Sequence, residues 1–333
     1  MYSIDAAFHP IQAHRRMRLH SRTIGWASLA VMIPAASTYA AFAKVLTGVF
    51  SPLSMLFLSE SMLLIFAILS FGLLPLLHSL FRLKRSLLPQ LLLLGTLNGA
   101  LAPLLLFIGL QHTTAINTEL FGRTETIFIM LLGANVLHQR IDRPHIVGGA
   151  VILLGILTAT LEGFSNGITL HSGDVFILLS ALTFSIGGTV VRKSLLRVDP
   201  ALLIIARSGM ALCVFFLVSP FIAHPFIDEV RLFPLTLLPA LIGFGFIARF
   251  VAVFTCYQAI ERLPVHTYAV MATTTVAGSI FFSEIYLGEP LHWYHGVGTL
   301  CIILGAGLVH MKGLYASEQH FRTHIHAQHQ QRV

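Results

Sequence analysis

The stretch HIVGGAVILLG at residues 145–155 returns as HGVGTLCIILG at residues 295–305. Six of the eleven positions are identical, and every matched pair is separated by 150 residues. Self-similarity at a fixed separation is the sequence signature of an internal repeat. The repeated stretch therefore predicts a chain built from two related halves.

The amino-acid composition excludes an ordinary water-soluble fold. Of the 333 residues, 56% are hydrophobic and only 11% are charged, with a mean hydropathy of +0.81. Soluble domains carry about 25% charged residues, and a soluble chain of this length has too little interior for so much apolar surface. Lipid must cover much of it. The net charge of +7 comes from short basic clusters between apolar stretches, which is typical of membrane proteins and not of nucleic-acid binders.

Ten stretches are apolar enough and long enough to cross a bilayer, which takes roughly 20 mainly apolar residues in a helix. The connecting segments are short, so no soluble domain is expected. The predicted fold is an all-α polytopic membrane protein with ten transmembrane helices at residues 24–43, 53–77, 88–110, 116–137, 145–162, 174–191, 201–222, 234–257, 265–287 and 295–311.

Lysine and arginine are strongly biased toward one side of the predicted membrane. With the N-terminus in the cytoplasm, sixteen of them fall in inside segments and only Arg231 falls in an outside loop. Cytoplasmic loops carry such an excess of Lys and Arg. We expect an integral protein of the inner or plasma membrane with both termini in the cytoplasm. The basic segment 1–23 lies at one end of the chain and the His-rich tail 312–333 at the other.

The register of the repeat extends upstream from the quoted stretch. Gln139 matches Glu289 at 150 residues, and further upstream Gly25 matches Gly173 at 148 residues. Each unit has five spans, and because five is odd the second unit enters the membrane with the opposite orientation. Two inverted repeats are a common transporter architecture. The chain divides into a first five-helix repeat at 24–162, an extracytoplasmic linker at 163–173 and a second five-helix repeat at 174–311.

With these features the chain resembles the drug/metabolite transporter superfamily, in its EamA-type branch. Leu287-Gly288-Glu289 followed by Pro290 resembles the turn before the last helix of a repeat in that family. Pro200, followed seven residues later by Arg207, resembles the start of the family's second helix. The resemblance implies ten spans in two repeats. It also implies export of amino acids, related metabolites or drugs, commonly driven by protons.

The chain departs from that family pattern in both repeats. Ser59 stands where the first repeat would carry arginine, and Leu137-His138-Gln139 replaces Leu-Gly-Glu. The fourth helix of each repeat would carry Glu-Pro, but the chain has Glu125-Thr126 and Thr275-Val276. The missing prolines predict straighter fourth and ninth spans.

The fourth span contains NTELFGRTETIFIMLLGANVL at residues 117–137, with charges at Glu119, Arg123 and Glu125. A charge near the centre of a membrane helix costs roughly 2.5–3.5 kcal/mol, and each large apolar residue offsets only about 0.3–0.6 kcal/mol. This span must therefore face other helices or water. Glu119 and Arg123 are four residues apart and are expected to pair. Glu125 is expected on a different face of an ideal helix.

Two interpretations of Glu125 stay open. In the functional one, it lines the central cavity and takes a proton or binds a cationic group of the substrate. A desolvated carboxylate with no cation beside it can exchange a proton near neutral pH. In the structural one, the three charges form a buried network that holds helices together. Thr275 occupies the matching place in the second repeat, although threonines also bond to their own helix backbone.

Three further candidates for substrate binding lie in other spans. Arg249, in GFGFIARFVAVFTCY, is expected either to meet an anionic group or to pair with a carboxylate. Tyr39 and Asn98 could supply hydrogen bonds to a ligand. Glu60 in the second span is expected to pair with a base such as Arg207.

No catalytic residue, metal site or cofactor site is predicted. The three cysteines lie singly in apolar runs and fit no zinc or redox spacing. The histidines of the tail are expected to belong to a disordered segment rather than to a metal site. The chain contains no G-x4-G-K-[ST], H-E-x-x-H or G-x-S-x-G motif.

The inverted repeat favours a secondary transporter that moves a small-molecule substrate across the lipid bilayer by alternating access. On this interpretation the protein is not an enzyme and does not bind nucleic acid. The alternatives are a membrane-embedded enzyme acting on lipid and a structural or regulatory membrane protein that transports nothing.

Overall fold

The structure is a computed structural model that describes residues 9–72, 85–136, 142–160, 171–190, 200–221, 226–263 and 265–309. Within these ranges every element is helical, which confirms the all-α prediction. The His-rich tail at 312–333 and most of the linker at 163–173 lie outside the described residues. So do the basic side chains that precede Thr23.

The described residues form ten helical rods, α1 to α10, at the places of the ten predicted spans. Several consist of consecutive pieces. The bounds are His9–Ser37 and Tyr39–Thr47 for α1; Pro52–Phe71 for α2; Leu88–Leu94, Gly95–Leu101 and Ala102–Gln111 for α3; Ala115–Gly122 and Thr124–Val136 for α4; Arg143–Thr160 for α5; Ser172–Val190 for α6; Pro200–Val218 for α7; Leu238–Ile242, Gly243–Val251 and Ala252–Arg262 for α8; Val265–Thr273 and Thr275–Leu287 for α9; and Trp293–Val309 for α10.

Seven of these rods are long and apolar enough to cross a membrane: α1, α2, α3, α6, α7, α8 and α9. α5 and α10 are shorter apolar helices, and α4 carries the three charges. Large apolar side chains such as Leu69, Phe216 and Leu304 are more than half exposed on the surface of the bundle, as expected for residues that face lipid. The molecule is a polytopic membrane protein, and the crossing of the bilayer by all ten rods stays a prediction.

The glycines of the repeated stretch bring α5 and α10 into reciprocal contact. A Cβ atom placed on Gly148 would lie 2.5 Å from the carbonyl oxygen of Gly305, and one on Gly155 would lie 2.6 Å from that of Gly298. The helices are therefore antiparallel. Gly148 matches Gly298 in the repeat and Gly155 matches Gly305, so the contact has two-fold symmetry. This geometry agrees with the predicted inverted repeat, and close packing explains the glycines.

The same symmetry relates two further helix pairs. α3 packs against α6, where Gly109 and Gly173 approach each other's carbonyl oxygens, and α1 packs against α8, where Gly25 lies against Arg262 and Leu263. α6 is the counterpart of α1, and α8 is the counterpart of α3. The first helix of each repeat therefore packs on the third helix of the other.

Two buried apolar clusters join the repeats. The larger one lies where α1, α2 and α3 meet α7 and α8, and includes Phe42, Leu56, Phe107, Phe215 and Phe244. The other lies where α4 and α5 meet α6, α9 and α10, and includes Ile116, Leu120, Ile152, Ile280 and Ile302. Neither repeat could bury these side chains alone.

Matching places in the two repeats contain π-helical segments. They are Gly95–Leu101 in α3 and Gly243–Val251 in α8. Such segments free backbone groups from the regular ladder and often occur at functional sites. Asn98 lies in the first and Arg249 in the second.

α4 and α9 are also interrupted at nearly matching places, by one-residue turns at Arg123 and Thr274. No proline is present at either turn. Instead, the Thr124 hydroxyl donates to the Phe121 carbonyl at 2.7 Å, and the Thr274 hydroxyl donates to the Met271 carbonyl at 2.6 Å. Each hydroxyl satisfies a carbonyl group in the turn before the break. Both helices are therefore interrupted, although neither has a proline at this place.

The Leu-Gly-Glu turn after α9 has two physical roles. Gly288 has φ +69°, in the left-handed region that glycine adopts without strain, and its N–H donates to the Glu284 carbonyl at 2.9 Å. Glu289 then accepts hydrogen bonds from the N–H groups of Ala115 and Ile116 at 2.8 and 2.9 Å. Its carboxylate therefore caps the first turn of α4, across the boundary between the repeats.

Among the described residues, Glu289 is one of three carboxylates of the second repeat that bind the first repeat at the predicted extracytoplasmic end. Asp174 accepts a hydrogen bond from the Thr113 hydroxyl at 2.5 Å, and Glu229 accepts one from the Ser51 N–H at 3.1 Å. We call Asp174, Glu229 and Glu289 the outer carboxylates. They join the two repeats at this end of the bundle.

Candidate functional site

A cavity of about 150 Å³ lies between α1, α3 and α4 of the first repeat and α6 of the second. The wall from α3 is apolar, and α4 supplies the charged groups. The lining residues are Tyr39, Leu106, Thr118, Glu119, Gly122, Arg123, Glu125, Ile177, Ser180, Ala181 and Phe184. Four of the predicted site residues therefore meet here, namely Tyr39, Glu119, Arg123 and Glu125.

Arg123 lies at the turn between the two halves of α4. Its Nη2 donates to Glu119 Oε2 at 2.9 Å and to Thr275 Oγ1 of α9 at 2.9 Å. The predicted pairing of Glu119 with Arg123 is confirmed. Thr275 lies outside the cavity lining and contacts Arg123 from the second repeat.

Glu125 follows that turn and lies near the middle of α4. Within the described part of the chain, its carboxylate has no hydrogen bond and no ion pair. Its backbone carbonyl oxygen lies 3.2 Å from the hydroxyl oxygen of Ser185 in α6, which donates to the Ala181 carbonyl at 2.7 Å. A proton or the cationic group of a ligand could bind this carboxylate without breaking an existing contact.

Glu119 and Glu125 line the same cavity, whereas a continuous helix would place them on different faces. α4 is interrupted between these two residues, at Arg123. The two carboxylates differ in their contacts, since only Glu119 is hydrogen-bonded to an arginine.

A second group of charges is buried where α2, α7 and α8 meet. Glu60, which has no exposed surface, accepts hydrogen bonds from Arg207 Nη2 at 3.1 Å, from Arg249 Nη2 and from the Ser208 hydroxyl at 2.8 Å. The predicted pairing of Glu60 with Arg207 is confirmed. Arg249 pairs with a carboxylate, which is one of the two roles expected for it.

Sequence reasoning did not identify Arg249 or Ser208 as partners of Glu60. A usable signal was present in the repeat register, because Glu60 matches Ser208 and Ser59 matches Arg207 at 148 residues. Helices related by a two-fold axis meet their own counterparts where they cross that axis. Residues at matching places near the axis are therefore candidates for direct contact.

Tyr39 connects the buried charges with the cavity. Its ring centroid lies 5.8 Å from the Arg249 guanidinium carbon, within the range of a cation–π interaction, and the residue also lines the cavity. Asn98 lies elsewhere. Its backbone carbonyl accepts a bond from Arg207 at 3.2 Å, and its buried Oδ1 has no hydrogen-bond partner in the described ranges.

Near the middle of the bundle, three arginines and three glutamates are present, but they are not distributed as three separate pairs. Two arginines share Glu60, one arginine pairs with Glu119, and Glu125 has none. Excess positive charge therefore lies beside α2, and excess negative charge lies in the cavity. Among the described residues no group of three or more His, Cys, Asp or Glu side chains could hold a metal ion.

The model of the EamA-like transporter family matches this chain twice, over residues 22–161 and 171–311. The chain belongs to the EamA-like transporter family. The predicted resemblance is confirmed, and each match contains one set of five rods. The two matches agree with the division into two predicted repeats at 24–162 and 174–311.

Two relatives carry transporter names. An uncharacterized transporter of Methanothermobacter thermautotrophicus is 25% identical over 210 residues, which is 62% of this chain and 59% of the relative. The uncharacterized transporter YetK of Bacillus subtilis is 24% identical over 208 residues, which is 59% of this chain and 60% of the relative. The matched part of this EamA-like protein thus spans about three fifths of the length of each relative.

A solved crystal structure of a protein is similar in fold. It covers 89% of this chain and 98% of its own, with a TM-score of 0.59 and 17% sequence identity. At that identity the likeness supports the helical architecture of the EamA-like protein and carries no information on its substrate.

Proposed function

We propose that this protein is a secondary transporter of the inner or plasma membrane that exports a small metabolite by alternating access, with protons exchanged at Glu125. One observation carries the proposal: Glu125 lines a cavity between the repeats, near the middle of its helix, and has no partner in the described part of the chain. Ionisable groups at such places in membrane proteins commonly mark the path of a substrate or a proton.

The chemistry at Glu125 is a competition between cations. The carboxylate binds either a proton or a positively charged group of the substrate, such as an amine. Binding one displaces the other, so the movement of each is coupled to the other. Tyr39 and Phe184 give the cavity aromatic walls for the apolar part of a small amine or amino acid.

Export is what the resemblance to the family implies, and the outer carboxylates mark the end of the bundle at which an exported substrate would leave. In this conformation they bond the second repeat to the first at the predicted extracytoplasmic end. For export, the substrate enters from the cytoplasm, and its release outside requires these bonds to break. The chain consists of five-helix repeats at 24–162 and 174–311, with both termini in the cytoplasm.

The test is a flux assay in proteoliposomes that contain the purified full chain, run over a panel of amino acids, amines and related metabolites. A substrate whose flux follows an imposed pH gradient is expected. Glu125→Gln then removes pH-driven flux, whereas Glu119→Gln, at matched protein content, causes a smaller loss. The two variants remove the same charge from the same cavity.

Equal or greater loss in Glu119→Gln would contradict the assignment of Glu125. Flux that ignores the pH gradient would contradict proton coupling while leaving transport intact. The lipid-modifying enzyme and the structural protein stay as alternatives, and no specific contact among the described residues favours either.

A further inference from the structure

Three interrupted helices meet at Thr275. α1 is interrupted at Thr38, α4 at Arg123 and α9 at Thr274. The Ser37 hydroxyl, beside the first break, donates to the Ile33 carbonyl at 2.8 Å, and its oxygen lies 3.2 Å from the Thr275 carbonyl oxygen. Arg123, at the second break, donates to the Thr275 hydroxyl at 2.9 Å. Thr275 follows the third break and is 5% exposed.

The orientation of the Thr275 hydroxyl is set by its own helix. Its proton is donated to the Ala272 carbonyl at 2.7 Å. An oxygen lone pair is then left for an incoming donor, and Arg123 Nη2 supplies that donor. The hydroxyl therefore serves as a fixed acceptor for the arginine rather than as a free group for a ligand.

Arg123 has a carboxylate on either side in the sequence. Glu119 precedes it by four residues and Glu125 follows it by two. The same nitrogen, Nη2, is held by Glu119 and by Thr275, each at 2.9 Å. Loss of the Thr275 contact leaves that nitrogen held by Glu119 alone, so the guanidinium is less restrained from approaching Glu125.

The surroundings of Glu125 contain few other charges. Around the cavity, α1 contributes one titratable group, Tyr39, and α4 contributes Glu119 and Arg123. The lining residues of α3 and α6 do not titrate. Arg123 is therefore the cation in this lining that can change the charge state of Glu125.

We propose that Thr275 is a positioning residue, which holds Arg123 against Glu119 and so keeps the Glu125 carboxylate free to bind a proton. This proposal depends on the proposed function in one respect, namely that Glu125 is important for transport. In the repeat register, Thr275 is the counterpart of Glu125 in the second repeat. The second repeat thus supplies the restraint that preserves one proton site in the first.

The test follows the proton itself and needs no substrate. Infrared difference spectra of the purified full chain, recorded across pH, report the protonated carboxyl group, and the band absent from Glu125→Gln belongs to Glu125. The titration of this band is compared in the wild type, Thr275→Val and Thr275→Ser. Thr275→Ala is a second variant without the hydroxyl, and thermal melting confirms that each variant is folded.

In Thr275→Val and Thr275→Ala, Arg123 is released and can approach Glu125. A cation within about 4–6 Å should move the midpoint of the titration to lower pH by about 1–3 units. Thr275→Ser keeps the acceptor and should titrate like the wild type. In an Arg123→Gln background, adding Thr275→Val should produce no further shift.

Unchanged midpoints in both variants that lack the hydroxyl would overturn the proposal. A shift that persists in the Arg123→Gln background would also overturn it, because Thr275 would then act by another route. If the shifts appear as expected but Glu125→Gln leaves pH-driven flux intact, the positioning role stands and the proposed proton coupling fails.

Discussion

Glu60 and Ser208 occupy matching places in the two repeats, 148 residues apart, and are hydrogen-bonded to each other at 2.8 Å. A contact between counterparts is expected where helices related by a two-fold axis cross. Here the two sides have become chemically different, since one supplies a carboxylate and the other a hydroxyl with Arg207 beside it. The symmetric scaffold therefore carries an asymmetric set of charges.

Removal of the Glu60 charge should strongly destabilise the protein. In Glu60→Gln, Arg207 and Arg249 lose the carboxylate they share, and breaking a buried ion pair from one side costs about 3–5 kcal/mol. Thermal melting of the purified protein in detergent measures the loss.

The matched control for that experiment is Asp228→Asn. Asp228 pairs with Arg231 at 3.7 Å, and both side chains are mostly exposed. Exposed pairs contribute about 0–1 kcal/mol, so this carboxylate-to-amide change should leave the melting temperature nearly unchanged. Equal effects of the two substitutions would show that the Glu60 cluster does not stabilise the fold.

Substitution of Gly305 should disrupt the contact between α5 and α10. A Cβ atom there would lie 2.6 Å from the Gly148 carbonyl oxygen, which belongs to the backbone and cannot rotate away. We expect Gly305→Ala to destabilise the protein by about 1–3 kcal/mol, as overpacking does in other interiors. Gly307 lies on the same helix with nothing within 4 Å of its Cβ position, so Gly307→Ala should melt at or above the wild-type temperature.

Loss of the Glu289 carboxylate should open the extracytoplasmic end. Glu289→Ala leaves the N–H groups of Ala115 and Ile116 without their cap, and loss of a helix cap costs about 0.5–2 kcal/mol. A cysteine placed at Asn117, which shares a pocket with Glu289, should then react faster with an impermeant maleimide added outside intact cells. The three native cysteines are replaced by alanine for this assay.

Glu284→Ala is the control for Glu289→Ala. It removes the same charge from the same end of α9, where the Glu284 side chain makes no hydrogen bond to any described residue. If both variants speed labelling alike, the effect is due to net charge and not to the cap on α4.

The orientation in the membrane predicts opposite labelling at two exposed positions. Ser86, before α3, is expected in the cytoplasm, and Asp228, in the short helix Phe226–Arg231, is expected outside. In the cysteine-free background, Asp228→Cys should react with an impermeant reagent in intact cells. Ser86→Cys should react only after the membrane is permeabilised. The reverse pattern would invert the topology.

The division into halves was predictable because glycines at a fixed separation can be read directly from the chain. The pairing of Glu119 with Arg123 was predictable because their spacing in a helix is local. The partner of Arg249 was not predictable, because Glu60 lies 189 residues away in the sequence. Any buried carboxylate could have paired with an arginine in the middle of a span.

The helix interruptions were hidden for a different reason. Prolines are the usual signal of a break, and α4 and α9 contain none at their turns. Threonine hydroxyls bond to nearby carbonyls instead, but Thr158 and Thr183 make similar bonds within uninterrupted helices. The sequence therefore did not reveal that α4 is interrupted between Glu119 and Glu125, both of which line the cavity.

The reciprocal contact of α5 with α10 bears on how a duplicated gene can drift. The sequences of two copies can diverge independently wherever the neighbouring side chains can adjust to a substitution in one copy. At Gly148 and Gly305 the neighbour is the backbone of the other copy, so neither copy can gain a side chain alone. At Glu60 and Ser208 the neighbours are side chains, which can be exchanged together. Tolerance to mutation should therefore be lowest at positions, such as these glycines, where the two repeats still have the same residue.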